Sequence, residues 1–181
     1  MLLRAINWES DGQALHKLDA SFVTDRVYTV RRDGLSFSFG EEARDPAVAK
    51  HYDCTLTKER IRRSLIAIAA CEEKEIRGYA VVEREDWNRR AVITDFFVDR
   101  RARRRGIGSK MMQRIVRLAK QSARILWVET QDVNFPAIAF YRRMGFEVCG
   151  FDSTLYDGKD VREVAVFLSR SLQEKESRKR S

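Results

Sequence analysis

Residues 91–120, AVITDFFVDRRARRRGIGSKMMQRIVRLAK, constrain the fold more than any other part of the chain. The stretch begins with Val92, Ile93, Phe96, Phe97 and Val98, an apolar run rich in β-branched and aromatic types and too short for a helix with its own core face. Five arginines follow between Asp99 and Arg105, and then Gly106-Ile107-Gly108. From there Ile107, Met111, Ile115 and Leu118 recur at the spacing of one helical face. A strand, a basic glycine loop and a helix in that order make an anion cradle. The first helical turn has backbone N–H groups without internal partners, and the macrodipole adds about half a positive charge there. Glycine at 106 and 108 lets a phosphate approach the main chain.

Two phosphate-binding patterns can be compared with these residues. A P-loop is absent, because Gly-x-x-x-x-Gly-Lys-Ser/Thr does not occur. The dinucleotide fingerprint fits only in part: Gly106-x-Gly108 is in place and Glu129 lies near the end of the next strand. However, Met111 stands where a third glycine belongs, and seven residues separate Val98 from Gly106 where that fold uses a tight turn.

Arg103-x-x-Gly106-x-Gly108 after an apolar strand resembles the pyrophosphate signature of the GNAT superfamily of N-acetyltransferases, users of acetyl-coenzyme A. Asn134-x-x-Ala137-x-x-x-Tyr141-x-x-x-Gly145-Phe146 resembles the other cofactor segment of the superfamily, at the expected distance and in the expected order. The resemblance implies an α+β GNAT fold: a mixed, mostly antiparallel central sheet of about seven strands flanked by helices, in a single domain. That domain is expected over residues 1–172, with a polar basic tail at 173–181. Acetyl-CoA is implied as acetyl donor, held by Arg103, Arg104, Arg105, Gly106, Ile107, Gly108 and Ser109. Backbone N–H groups near Phe97 and Val98, and the residues Asn134, Ala137 and Tyr141, complete the implied cofactor set. No metal is expected, since no His/Cys cluster has metal spacing.

An amine attacks a thioester only when neutral, and with a pKa near 10.4 only about one lysine-like amine in 10³ is neutral at pH 7. The deficit is worth roughly 4–5 kcal/mol of barrier unless a base or a water chain removes the proton. The resemblance makes Tyr141 the general acid for the departing thiolate; core packing among Phe140, Tyr141 and Met144 is the plainer alternative. Asn134 bonds the coenzyme arm, caps its helix, or does both. Glu129, at the end of the strand after the glycine helix, ranks first as base, followed by Asp95 and Asp132, with Glu83 and Asp86 behind. The competing role for Glu129 is a surface carboxylate paired with an arginine.

A narrower match from Asp86 to Tyr156 resembles streptothricin acetyltransferases, which acetylate an amine on the β-lysine arm of that antibiotic. It is carried by Trp87-Asn88, Asp95, the glycine loop, Glu129-Thr-Gln-Asp132-x-Asn134, Phe140-Tyr141, Gly150-Phe-Asp152 and Leu155-Tyr156. The implied substrate is a small-molecule amine met by Trp87, Asn88, Glu129, Asp132 and Tyr156. Two departures stand out. Thr94 occupies a position where those enzymes usually carry Glu, and Lys50, Lys58, Arg60, Arg62 and Arg63 make a basic approach in a region that is acidic in them. A basic approach repels a polycationic acceptor. It keeps open a protein N-terminus or lysine as the acetyl acceptor.

The net charge of +8 and a pI near 9.7 raise a third reading, a basic nucleic-acid-binding module. It is not favoured, because much of the excess charge lies in the loop at 100–105, where a coenzyme needs it, and in the tail. With 44% hydrophobic and 34% charged residues in 181, the chain reads as one globular domain. Cys54, Cys71 and Cys149 show no C-x-x-C spacing, no window approaches a membrane span, and a cytoplasmic location is expected. The superfamily commonly forms homodimers, although no dimer seam is legible.

Elsewhere the pattern predicts a strand at 2–7, a helix at 10–22 capped by Ser10 or Asp11, and a hairpin of 27–30 with 35–39. Residues 40–60 read as loop or short helix. A second hairpin joins 65–70 to 79–82. Beyond the glycine helix come a strand at 125–128, a helix from Asn134 to Met144, and closing strands at 146–151 and 161–168.

Overall fold

The computed structural model describes residues 1–173. The basic tail expected at 173–181 therefore lies outside the described residues, apart from Gln173. The described elements run β1 (Leu2–Ala5), α1 (Trp8–His16), β2 (Phe22–Asp33), β3 (Ser36–Lys50), α2 (Lys58–Arg63), β4 (Ile66–Glu72), β5 (Glu75–Glu85), β6 (Arg90–Val98), α3 (Ile107–Ala119), β7 (Ile125–Gln131), α4 (Phe135–Arg143), β8 (Glu147–Asp152) and β9 (Ala165–Ser171). Seven strands form one mixed sheet in the order β1-β4-β5-β6-β7-β9-β8, while β2 and β3 pair only with each other. The architecture is the α+β fold implied by the two cofactor segments.

The chain divides into two compact units. The first comprises Met1–Ala20, Tyr52–Trp127 and the stretch from Arg170; the second comprises Ser21–His51 and Val128–Ser169. In the first unit β1, β4, β5 and β6 are antiparallel neighbours. Ile107, Met111, Met112, Ile115 and Ala119 form the buried face of α3, with Met112 and Ala119 taking the place expected for Leu118. Fully burying side chains such as Met111 and Ile115 contributes about 1.5–3 kcal/mol each. The approach of α3 to the sheet depends on Gly78 in β5. A Cβ there would lie 2.6 Å from the Phe97 carbonyl oxygen and 3.2 Å from the Met111 sulfur.

The expectation for the first helix needs correction. The first helix starts at Trp8, not Ser10, and Asn7 caps it by accepting from the Glu9 N–H at 3.1 Å. Asp11 is not a cap: its carboxylate is 3% exposed and takes Arg4 Nη1 and Nη2 at 2.6 and 2.8 Å. Phe22 does not extend that helix but opens β2, its side chain 6% exposed.

In the second unit the hairpin is far longer than its alternating core suggests, running in register from Phe22↔Lys50 to Asp33↔Ser36 around Gly34 at φ +56°. Residues 40–50, expected as loop or short helix, are strand. β8 and β9 pair antiparallel, but β9 begins at Ala165, because Val161 instead closes a 3₁₀ turn at Gly158–Asp160.

Candidate active site

In the first unit, β6 delivers the basic loop. Asp99 caps a 3₁₀ turn at Arg100–Ala102 by accepting from the Arg101 N–H at 2.9 Å, and Ala102, 1% exposed, pins that turn into the core. The loop is tied further by Asp99 N–H to the Arg77 carbonyl and Arg100 N–H to the Asp19 carbonyl, both at 2.9 Å. Gly106 then takes φ +78°, a left-handed conformation that glycine adopts without strain, and serves as N-cap of α3. No side chain caps this helix, and its first turn carries no acidic residue. A Cβ at Gly106 would meet nothing within 4 Å, so the space beside this residue is open. An uncapped helix start facing open space fits the phosphates of a coenzyme.

The three arginines expected at those phosphates do different things. Arg103 turns back and donates Nε to the Val98 carbonyl at 3.0 Å, half-buried, with burial lowering its pKa. Arg105 places Nη2 2.8 Å from Glu72 Oε2, although that oxygen has no aligned hydrogen bond. Arg104 is exposed at φ +61°. Glu72 was not singled out from sequence; its position at the β4–β5 turn, next to a glycine loop only in space, leaves no local signal.

Asp95, one of the carboxylates weighed as base, is 7% exposed and already engaged. Arg60 Nη2 donates to its Oδ2 at 2.7 Å and Thr94 Oγ1 donates to the same atom at 2.9 Å. Arg60 also reaches Glu83 at 3.4 Å. The register of β5 with β6 slips between Val81/Val82 and Asp95/Ile93, leaving Thr94 as the extra residue of a bulge. Phe97 and Val98 lie beyond that bulge, paired with Tyr79 and Gly78. Trp87 and Asn88 lie in the β5–β6 turn, at the opposite end of β6 from the glycine loop, on the order of 25 Å along the strand. Asn88 shapes the turn: its Oδ1 accepts from the Arg90 N–H at 3.0 Å and its Nδ2 donates to Glu85 at 3.1 Å. Trp87 is 85% exposed. The structure therefore does not bring this pair to the loop.

In the second unit, Asn134 caps α4 by accepting from the Ala137 N–H at 3.2 Å, Pro136 sits in the first turn, and Gly145 at φ +82° follows the helix. Tyr141 is 5% exposed, its ring 5.5 Å from Phe140 and 5.4 Å from Phe146. Glu129 and Tyr156, both chosen from sequence, meet: the Tyr156 hydroxyl donates to Glu129 Oε1. Glu129 is largely buried, and that burial raises its pKa above the ordinary glutamate value, with the Tyr156 hydrogen bond acting in the other direction. Asp132 is braced rather than presented: its Oδ1 accepts from the Val133 and Val164 N–H groups at 2.9 and 3.1 Å. Its main-chain N–H donates to the Val164 carbonyl and its carbonyl accepts from Tyr28, at 2.9 and 3.0 Å.

The basic approach expected from residues 45–63 is largely neutralised. Lys50 pairs with Asp160 and Glu163, Lys58 with Glu9, and Arg60 with Asp95 and Glu83, leaving Arg62 and Arg63 exposed. Each pairing is between residues distant in sequence, which is why charge counting overstated the field. Among the described residues no group of three or more His, Cys, Asp and Glu side chains is placed to hold a metal, and no helix is long and apolar enough to cross a membrane.

Residues 25–146 match the acetyltransferase (GNAT) family. A streptothricin acetyltransferase of Streptomyces lavendulae is 35% identical over 158 residues, 82% of each chain. The crystal structure of a nourseothricin acetyltransferase superposes with a TM-score of 0.85 at 33% identity, covering 95% of this chain and 98% of that one. A Bacillus anthracis structure in complex with acetyl coenzyme A gives 0.81 at 27% identity, covering 94% and 97%. On its motifs, its sheet and these relatives, the chain belongs to the acetyltransferase (GNAT) family.

Proposed function

We propose that the protein transfers the acetyl group of acetyl-CoA to a primary amine of a small cationic molecule of the streptothricin type, by direct attack of the amine. The observation that carries this reading is the uncapped start of α3 with Gly106 left-handed and open space beside it. The streptothricin and nourseothricin enzymes named above support the acceptor class. The neutralised lysines and arginine remove the electrostatic objection to a cationic acceptor, and with it the motive for a protein substrate.

Acetyl-CoA supplies an activated thioester. The backbone N–H groups of Ile107, Gly108 and Ser109 hold its phosphates, with Arg104 and Arg105 adding charge and Arg103 fixing the loop to Val98. In the first unit, backbone groups near Phe97 and Val98 orient the rest of the coenzyme; in the second, Asn134 and Ala137 are the residues the family resemblance assigns to it. Glu129 takes the proton from the ammonium of the acceptor, its burial bringing its proton affinity closer to neutral pH, and Tyr156 holds that carboxylate in place. Tyr141 holds its phenolic proton for the thiolate that departs.

Purified protein with acetyl-CoA and a panel of amines, assayed by free-thiol release, tests the proposal. The expected result is turnover with streptothricin-type amines well above that with peptide N-termini or lysine peptides. Binding of acetyl-CoA without thiol release from any small amine would overturn it.

A further inference from the structure

The segment between β8 and β9, residues 153–164, carries Tyr156 yet has almost no apolar anchor. Leu155 and Val161 are 49% and 55% exposed, and among its described residues none is buried. It is held by polar contacts instead. At its start Asp152 Oδ1 accepts from the Thr154 N–H and Oγ1, both at 2.7 Å. At its end Val164 is bound on both sides of its main chain by Asp132. Between these, besides the Tyr156–Glu129 bond itself, the segment is tied by the ammonium of Lys50.

Lys50 ends β3 and is fixed there by pairing with Phe22 of β2, whose side chain is 6% exposed. Its Nζ lies 2.9 Å from Asp160 Oδ1 and 2.7 Å from Glu163 Oε2. The side chains of Lys50, Asp160 and Glu163 are 13%, 27% and 15% exposed. Glu163 N–H in turn donates to the Asp160 carbonyl at 2.8 Å, so one ammonium gathers a full turn of the segment. Charge-assisted bonds this short and this shielded hold geometry well.

We infer that Lys50 is a positioning residue for the Glu129–Tyr156 pair: by anchoring Asp160 and Glu163 it holds the segment that presents the Tyr156 hydroxyl to Glu129. The inference rests on the proposed role of Glu129. Lys50 does not touch the reacting atoms and acts only through Tyr156.

The test compares Lys50→Met, Lys50→Arg, Tyr156→Phe and the Lys50→Met/Tyr156→Phe double variant, each with acetyl-CoA and a streptothricin-type amine. K50M is expected to lower kcat about tenfold while the KM for acetyl-CoA stays at its wild-type value, since the loss falls on proton removal. K50R, which keeps the charge and supplies donors enough for both carboxylates, recovers most of the loss. The double variant is expected to be no slower than Y156F alone, because both changes break one chain of contacts. If K50M melts below the assay temperature, Glu163→Gln loosens the same anchor from its other side and carries the same expectation.

Losses that multiply in the double variant, a K50M enzyme with wild-type kcat, or K50R as slow as K50M would each overturn the role of Lys50. If Glu129→Gln and Tyr156→Phe both turn over at the wild-type rate, the proposed role of Glu129 fails first, and the inference fails with it.

Discussion

Arg60 of α2 spans to Asp95 of β6 at 2.7 Å and thereby takes out of play one of the carboxylates best placed by sequence to act as base. The carboxylate is also the acceptor of the Thr94 hydroxyl, the side chain of the bulge residue. A carboxylate oxygen already accepting from a guanidinium and a hydroxyl, on a residue 7% exposed, is occupied rather than presented to a substrate. Its work is structural: it fastens α2, a helix with no buried residue of its own, to the strand that feeds the glycine loop.

Asp95→Asn is therefore expected to cost stability rather than to change the pH dependence of turnover. Removing one partner from a largely buried pair leaves the other poorly compensated, here softened by Glu83, for an expected loss of about 2 kcal/mol. Urea unfolding gives the first quantity and a pH series of kcat the second. A flattened acidic limb in D95N would return Asp95 to the list of bases.

Glu129 should set that limb. Burial raises its pKa, and the base must be deprotonated, so kcat is expected to fall as pH drops through a value above the ordinary ~4.3 of glutamate. Glu129→Gln should lower kcat by about 10²-fold or more and abolish the limb. Tyr156→Phe removes the bond that stabilises the carboxylate, so the limb should move to higher pH. A limb that stays in E129Q assigns it to another group.

Gly108→Glu separates the coenzyme site from folding. Gly108 sits in the first turn of α3, where an acidic side chain interacts favourably with the helix dipole and no acidic residue is now present. Its carboxylate also takes the place of a phosphate at the uncapped amides. The expected outcome is a melting temperature at or above that of the wild type with acetyl-CoA affinity lower by about 100-fold, measured by calorimetry. Unchanged affinity would place the phosphates elsewhere.

The β6–loop–α3 stretch and α4 were legible because their signals are local: an apolar run, then a basic glycine loop, then a 3.6-residue period, and an Asn cap with a terminal Gly. The hairpin was legible only around its turn, at 27–30 and 35–39. Beyond Phe39 the strand β3 buries no residue, so no alternation marks it, and Pro46 with mixed charges reads as loop or short helix. The start of α1 was missed because Asp11 looks like a cap, whereas Arg4 and the Asn7 N–H take its carboxylate. The Glu129–Tyr156 bond joins residues 27 apart, and Lys50 meets its partners across more than 100, separations at which sequence carries only residue type. Tyr156 was named through family resemblance as a substrate contact; its distance from Glu129 in the chain gave no hint of the bond between them.

The Arg4–Asp11 pair gives a stability prediction with a definite sign. Hydrogen bonds from Arg4 lower the pKa of Asp11 below its ordinary value, against the opposing effect of burial, and the Asn7 N–H adds to the lowering at 2.8 Å. A carboxyl whose folded pKa is depressed contributes stability that is fully present above its unfolded value, near 3.9, and is lost as pH falls through the folded one. Asp11→Asn removes that contribution at every pH and leaves Arg4, 36% exposed, partly hydrated. The expected cost at pH 7 is about 3 kcal/mol. It should shrink as pH falls through the depressed folded value, where the wild-type carboxyl takes up its proton. Urea denaturation of both proteins in a series from pH 7 into the acid range measures the difference. A cost that stays constant down to the acid unfolding of the wild type would mean that Asp11 contributes by shape and hydrogen bonding alone, with no role for its charge.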